Sequence, residues 1–360
     1  MLGSFKPVLV LFAALGVSLM PLGAVDAAQK SNAGSSSISR AKQASVIGKK
    51  KSGASPVARA GGKAPAKSKV SARAARKSRL ARAAPATGAR AHDERLLDVK
   101  SGAALVVEQT GGGALFQKNA GVVVPIASIT KLMTAMVVLD GWPDLQAAVS
   151  ITEDDVDYLR GSRSRLHLGT AMTRETALLL ALMSSENRAA HALARHYPGG
   201  MPAFLAAMNR KARSLGMRNT RFEDPTGLSR NNVSTARDLA KMVVAAYRYP
   251  LIREFSTMEG ATVEVAGRPL EFHNTNPLVG NSSWNVGLSK TGFTHEAGKC
   301  LVMQARVANR PVVIVLLDST GKLTRVGDAN RIRRWMETVL ASHDTRAQRA
   351  SFAPPGARPG

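Results

Sequence analysis

Ser128 and Lys131 stand three residues apart in "VPIASITKLMTAMVVLDGW", residues 124 to 142. On a helix beginning near Ala127 they share one face and can touch. A serine hydroxyl is a poor nucleophile until a base takes its proton, and a lysine supplies that base if burial or a second cation lowers its pKa. The ordinary alternative is an N-cap-like serine and a lysine whose stem packs while its amine reaches water. The spacing alone does not choose, because Ser39-Arg40-Ala41-Lys42 and Ser319-Thr320-Gly321-Lys322 repeat it.

Company in a fixed order does choose. Ser185-Glu186-Asn187 lies between two helical stretches, and Lys290-Thr291-Gly292 ends the strand-like "WNVGLSKTGF". Each triplet has decoys: Ser229-Arg230-Asn231 and Ser283-Trp284-Asn285 for one, Lys51-Ser52-Gly53 and Lys100-Ser101-Gly102 for the other. Only the first set runs from a helix start through an interhelical loop to a strand, the combination known from penicillin-interacting serine enzymes.

The elements that must position these residues are legible in the texture. From Leu96, "LLDVKSGAALVVEQTGGGALFQKNAGVVVP" reads as two β-rich runs joined by a Gly triplet, a hairpin. "SITKLMTAMVVLD", stopped by Gly141 as a C′ residue, "TRETALLLALMS", "ENRAAHALARHY", "PAFLAAMNRKARSLG" and "TARDLAKMVVAAYRY" have helical spacing. β texture returns in residues 260–273, 284–290, 299–307 and 311–318, and "RIRRWMETVLASH" closes the series as a helix. The order predicts an α+β fold: one sheet completed by both ends of the domain, a helical subdomain inserted, and a cleft at the seam.

The chain has 360 residues, 44% of them hydrophobic, and a formal charge of +25. Residues 29–92 carry 16 Lys/Arg and no Asp/Glu, which leaves about +6 on residues 93–345. With almost no large apolar residues, 29–92 is expected to be a disordered basic arm. Residues 1–28 have one Lys, an apolar run and small residues around Val25-Asp26-Ala27-Ala28, the pattern of a cleaved export signal, with an uncleaved anchor as the rival reading. Export turns the arm away from nucleic acid and towards anionic lipid or cell-wall carboxylates, or leaves it a spacer. Residues 346–360 read as a loose tail. Cys300, the only cysteine, excludes an internal disulfide and reads as a buried small residue. The seven histidines lack metal-ligand spacing and "EDDVD" at 153–157 lacks the rest of a calcium loop, so no metal or cofactor is expected.

The segments "SITKLMTAMVVLD", "LMSSENRAA", "FEDPTGLSRNNVSTARDLA", "FHNTNPLV" and "KTGFTHEAGKCLVM" resemble those of low-molecular-mass penicillin-binding proteins, the D-alanyl-D-alanine peptidases. The similarity spans about residues 96–340 and is strongest to the endopeptidase branch, type 7/8. It implies a β-lactamase/DD-peptidase-like fold, an antiparallel sheet flanked by helices, in a catalytic domain spanning 93–345. It implies peptidoglycan stem peptides as substrate, β-lactams as inhibitors, a periplasmic location and no cofactor. Ser128 would attack a D-Ala carbonyl, Lys131 would take its proton, and Ser185 would relay a proton to the leaving amine. Asn187 would orient Lys131 or bond the substrate amide. Lys290 would keep Lys131 neutral and attract a carboxylate, Thr291 would bond that carboxylate or the peptide backbone, and Gly292 would leave room for a substrate strand. The N–H groups of Ser128 and Phe293 match the family's oxyanion hole. Asn274, Asn276 and Asp238 read as rim or scaffold. Thr275 replaces an Arg frequent in carboxypeptidase relatives, which leans towards an endopeptidase. The alternatives are a D-Ala-D-Ala carboxypeptidase, a β-lactamase, disfavoured by Glu186 and by the lack of a deacylating Glu, and a non-catalytic wall-binding module.

Overall fold

The computed structural model describes residues 97–351 except 112, 159 and 266, with side chains as far as 338. The expected signal segment 1–28 and basic arm 29–92 lie outside the described residues, as does the tail from 352.

The chain opens with the expected hairpin, β1 (Ala103–Glu108) and β2 (Ala114–Lys118). A two-residue strand, β3 (Val124–Pro125), leads through a 3-10 turn at Ala127–Ile129 into α1 (Thr130–Asp140). The hairpin of β4 (Ala148–Ser150) and β5 (Ala171–Thr173) precedes α2 (Arg174–Met183), α3 (Asn187–Arg195) and α4 (Gly200–Ser214). β6 (Val233–Ser234) pairs with β3 and is followed by α5 (Ala236–Ala246) and α6 (Pro250–Thr257). β7 (Gly260–Val265) and β8 (Arg268–His273) form a hairpin of their own. The long strands β9 (Asn285–Thr294), β10 (Gly298–Val307) and β11 (Arg310–Ser319) lead to the closing α7 (Thr324–Ser351).

The main sheet is wholly antiparallel, in the order β2-β1-β11-β10-β9. Pairing of Ala103 with Leu317 joins the two ends of the domain in one sheet, as the element order implied. The unbroken apolar run of β11 is explained by burial on both faces. Val313, Val315 and Leu317 face the core shared with the helices, while Val312, Ile314 and Leu316 pack with Ala329, Ile332 and Met336 of α7. Helix α1 is buried throughout from Thr130 to Val138. It therefore needs no polar face, and Lys131 sits where water cannot reach it.

Three expectations change, and one stretch without an expected element proves helical. Residues 260–273 do not rejoin the main sheet but pair only with each other. Residues 250–257, for which no element was expected, form α6 with Pro250 at its first turn, where a missing N–H costs nothing. Gly141 ends α1 at φ −76°, not as a left-handed C′ residue; the positive φ falls on Trp142 at 47°. Helix α7 also continues to Ser351, past the boundary expected at 345, through Ala, Arg and Gln residues that favour helix. No helix among the described residues is long and apolar enough to cross a membrane.

Candidate active site

The turn that carries Ser128 is held in an unusual conformation. Ala127 has φ 48°, a left-handed value that a non-glycine residue adopts only when its surroundings impose it. Two glycines do so. A Cβ on Gly227 would lie 2.0 Å from the Ala127 carbonyl oxygen, and one on Gly292 would lie 3.0 Å from the Ser128 nitrogen. The helical side and strand β9 thus close on the peptide that presents Ser128. From below, Thr130 Oγ1 donates to Ala127 O at 2.8 Å and Asn232 Nδ2 donates to Thr130 Oγ1 at 3.0 Å.

Lys131, fully buried, donates from Nζ to Ser128 Oγ at 3.0 Å, Asn187 Oδ1 at 2.7 Å and the Thr226 carbonyl at 2.7 Å. Three acceptors with no carboxylate among them satisfy the amine without an ion pair. Burial pushes its pKa down to about 7, against the opposing pull of Asp224 and Glu186. At that value a large fraction is the neutral base near neutral pH. Lys290 is equally enclosed, and its amine donates to the Thr291 carbonyl at 3.1 Å. Burial, then the cations of Lys131 and Arg325, hold it well below the usual lysine range. Burial is thus the first cause at both lysines, and the Lys131 cation adds to it at Lys290.

Asn187 starts α3 and links three elements, accepting from Lys131 while its Nδ2 donates to Ser162 Oγ at 3.1 Å. Ser185 sits in the same loop at φ 64°. Among the described residues its hydroxyl makes no hydrogen bond, so a bond to Lys131 is absent. On the sheet side, Thr291 Oγ1 donates to Thr275 Oγ1 at 2.7 Å, and Phe293 is exposed under the Lys299 ammonium, 4.1 Å from its ring centre. Asn274, Asn276 and Asp238 serve as scaffold: Asn274 Nδ2 donates to Ser256 O and Met258 O, Asn276 Nδ2 to Ser289 Oγ, and Asp238 accepts from Asn219 N.

Beside these residues opens a cavity of about 1010 Å³, lined among others by Asn187, His191, Asp224, Thr226, Arg160 and Glu296. Several of its residues were not singled out from sequence. Asp224 accepts from the backbone of Thr226, Gly227 and Ser229 and so shapes the loop whose carbonyl meets Lys131. Asp-Pro-Thr-Gly is turn chemistry, and this signal was present in the chain. Arg325 donates to the carbonyls of Gly292 and Cys300, both at 3.0 Å, tying α7 to β9 and β10. In "EDDVD", Asp154 stays exposed, but Asp155 is buried with its carboxylate 2.8 Å from His191 Nδ1 and 2.9 Å from Arg195 Nη2. Nothing local marks either of these long-range pairings.

The family model described as D-alanyl-D-alanine carboxypeptidase, peptidase S11, matches residues 88–321. D-alanyl-D-alanine endopeptidases of Pseudomonas aeruginosa and Escherichia coli are 52% and 49% identical to this chain, each over 67% of it and 78% of their own length. Among solved structures, a Streptomyces DD-transpeptidase is 30% identical with a TM-score of 0.62, covering 66% of this chain and 97% of that one. The expected fold is that of these neighbours. With Ser128 and Asn187 bonded to the buried Lys131 and Gly292 of the Lys-Thr-Gly strand against the Ser128 turn, the chain belongs to the S11 family of D-alanyl-D-alanine peptidases.

Proposed function

We propose that this enzyme is a D-alanyl-D-alanine endopeptidase that opens peptidoglycan cross-links through an acyl-enzyme on Ser128. The observation that carries the reading is the 3.0 Å contact between Ser128 Oγ and a Lys131 amine that burial holds near pKa 7. Lys131 takes the hydroxyl proton as Oγ attacks the D-Ala carbonyl. The N–H groups of Ser128 and Phe293 receive the negative charge that develops on the carbonyl oxygen. The amide C–N bond then breaks, and the leaving amine takes a proton delivered from Lys131 by way of Ser185. Water, activated by the neutral amine of Lys131, attacks the ester and releases Ser128. Lys290 and Thr291 receive a substrate carboxylate or backbone from the strand side, and Gly292 leaves space beside β9.

The endopeptidase preference follows the two relatives with that name and the Thr275 in place of an arginine. We infer export to the periplasm from the pattern of residues 1–28, with residues 29–92 a basic arm attracted to anionic wall or membrane surface. Digestion of purified muropeptides tests the reading. Conversion of cross-linked dimers to monomers is expected, with loss of both this activity and fluorescent penicillin labelling in Ser128→Ala. Release of D-Ala from pentapeptides alone would place the enzyme with the carboxypeptidases, and wild type that takes no label would remove the acyl-enzyme.

A further inference from the structure

Asp157, Tyr158 and Arg160 line the cavity, and the chain from Ser162 to Leu166 is bolted to the helical wall. Asn187 Nδ2 donates to Ser162 Oγ at 3.1 Å, Ser164 Oγ donates to Glu186 Oε2 at 2.7 Å, and Arg188 donates to Leu166 O at 2.7 Å. Asp157 folds it locally by accepting from the N–H groups of Arg160 and Ser162. These bonds anchor it to the Ser185-Glu186-Asn187 loop. Its link to the turn between β9 and β10 is of another kind. Arg160 Nη1 and Nη2 reach Glu296 Oε2 and Oε1 at 2.9 and 3.1 Å, a bidentate pair with side chains 26% and 41% exposed.

Glu296 follows Lys290-Thr291-Gly292 by only a few residues, at the end of β9 where a peptide added beside that strand would leave the site. We propose that the Arg160–Glu296 pair is a clasp across this end of the cleft that sets how readily extended cross-linked peptides enter relative to small acylating agents. The inference rests on the reading that substrate lies along β9. On this reading a penicillin, small enough to be held at the Ser128 turn, acylates without parting the clasp, whereas a cross-linked dimer running past Thr294 parts the two side chains. A half-exposed ion pair is weak and screened by salt, so it can open and close without disturbing the buried bonds on the helical side.

Four forms separate the outcomes: wild type, Arg160→Ala, Glu296→Ala and the exchanged pair Arg160→Glu/Glu296→Arg. Hydrogen exchange of residues 157–166 reads the clasp without substrate and is expected to speed up in both single variants and, in wild type, between ~0.02 and ~0.5 M salt. Kinetics then compare acylation by a small penicillin with cleavage of a purified dimer. Single variants should raise kcat/KM for the dimer roughly two- to five-fold through KM, the range an exposed ion pair allows, and lose its salt dependence. Penicillin acylation should stay unchanged, and the exchanged pair should return dimer cleavage towards wild type. Unaltered exchange means no clasp exists. Dimer rates that stay level, or that fall together with acylation, overturn the inference. If wild type acylates but leaves dimers whole, the endopeptidase reading has failed on its own, and pentapeptide turnover takes the dimer's place with the same expectations.

Discussion

Gly227 lies against the carbonyl of Ala127 so closely that any Cβ on it would overlap the backbone, 2.0 Å from the oxygen and 2.3 Å from the carbon. The loop from Asp224 to Gly227 thereby sets both ends of the proton path: its Thr226 carbonyl receives Lys131, and its glycine seats the turn of Ser128. Gly227→Ala meets both the overlap and a φ of 87°, which costs on the order of 1–3 kcal/mol before the Ser128 turn moves. Penicillin labelling should fall by more than tenfold, while thermal melting shows a folded protein of lowered midpoint. Wild-type acylation in this variant would mean the turn tolerates displacement.

Lys131→Arg keeps the charge but cannot give up a proton near neutrality, so acylation should vanish. On the proposed mechanism the reactive form in wild type is the neutral amine. The acylation rate should therefore rise with pH through about 7 and level off above it. Penicillin labelling retained by the Arg variant, or a flat rate between pH 6 and 8, roughly one unit either side of that value, would remove Lys131 from the base role.

Asn187 and Ser185 should separate in the same measurement. Asn187 Oδ1 accepts from the Lys131 amine and favours its charged form, so Asn187→Ala should shift the rise in acylation to lower pH. Ser185 makes no such bond; Ser185→Ala should leave the midpoint in place and slow turnover if it relays the proton. Equal midpoint shifts in both variants would contradict this division.

Asp155 gives a stability test away from the nucleophile. Burial opposes its ionisation, but hydrogen bonds from His191, Arg195 and the Thr152 N–H prevail and hold its pKa at about 2. A carboxyl lowered on folding stabilises above its unfolded pKa and loses that contribution as pH falls through the folded value. Asp155→Asn should cost about 2–4 kcal/mol near neutral pH, because Arg195 loses its partner, and the deficit should narrow in acid. Denaturant unfolding at several pH values checks the sign; a deficit that grows in acid would refute it.

Thr275 occupies the position between Asn274 and Asn276 and accepts from Thr291 Oγ1. Thr275→Arg breaks that contact and places a cation beside Lys290 and Thr291. Release of terminal D-Ala should gain relative to dimer cleavage when both muropeptides are assayed together.

Legible from the sequence alone were most of the elements in their order and the three motifs that carry the proposed reacting groups. Periodicity of apolar residues marks helix or strand over a few turns, and the three motifs stand in helix-start, loop and strand contexts that are local properties. α6 escaped because eight residues with mixed burial leave little periodicity, and β7 and β8 were misplaced because a strand pattern does not name its partner. Tertiary structure decided the rest. The acidity of Lys131 depends on a helix buried on every side and on a carbonyl 95 residues away in sequence. The Ser128 turn depends on Gly227 and Gly292, and the ion pair beside the cavity on Arg160 meeting Glu296 across 136 residues. Such pairings have no local signature, because burial and contact arise only when distant segments have packed.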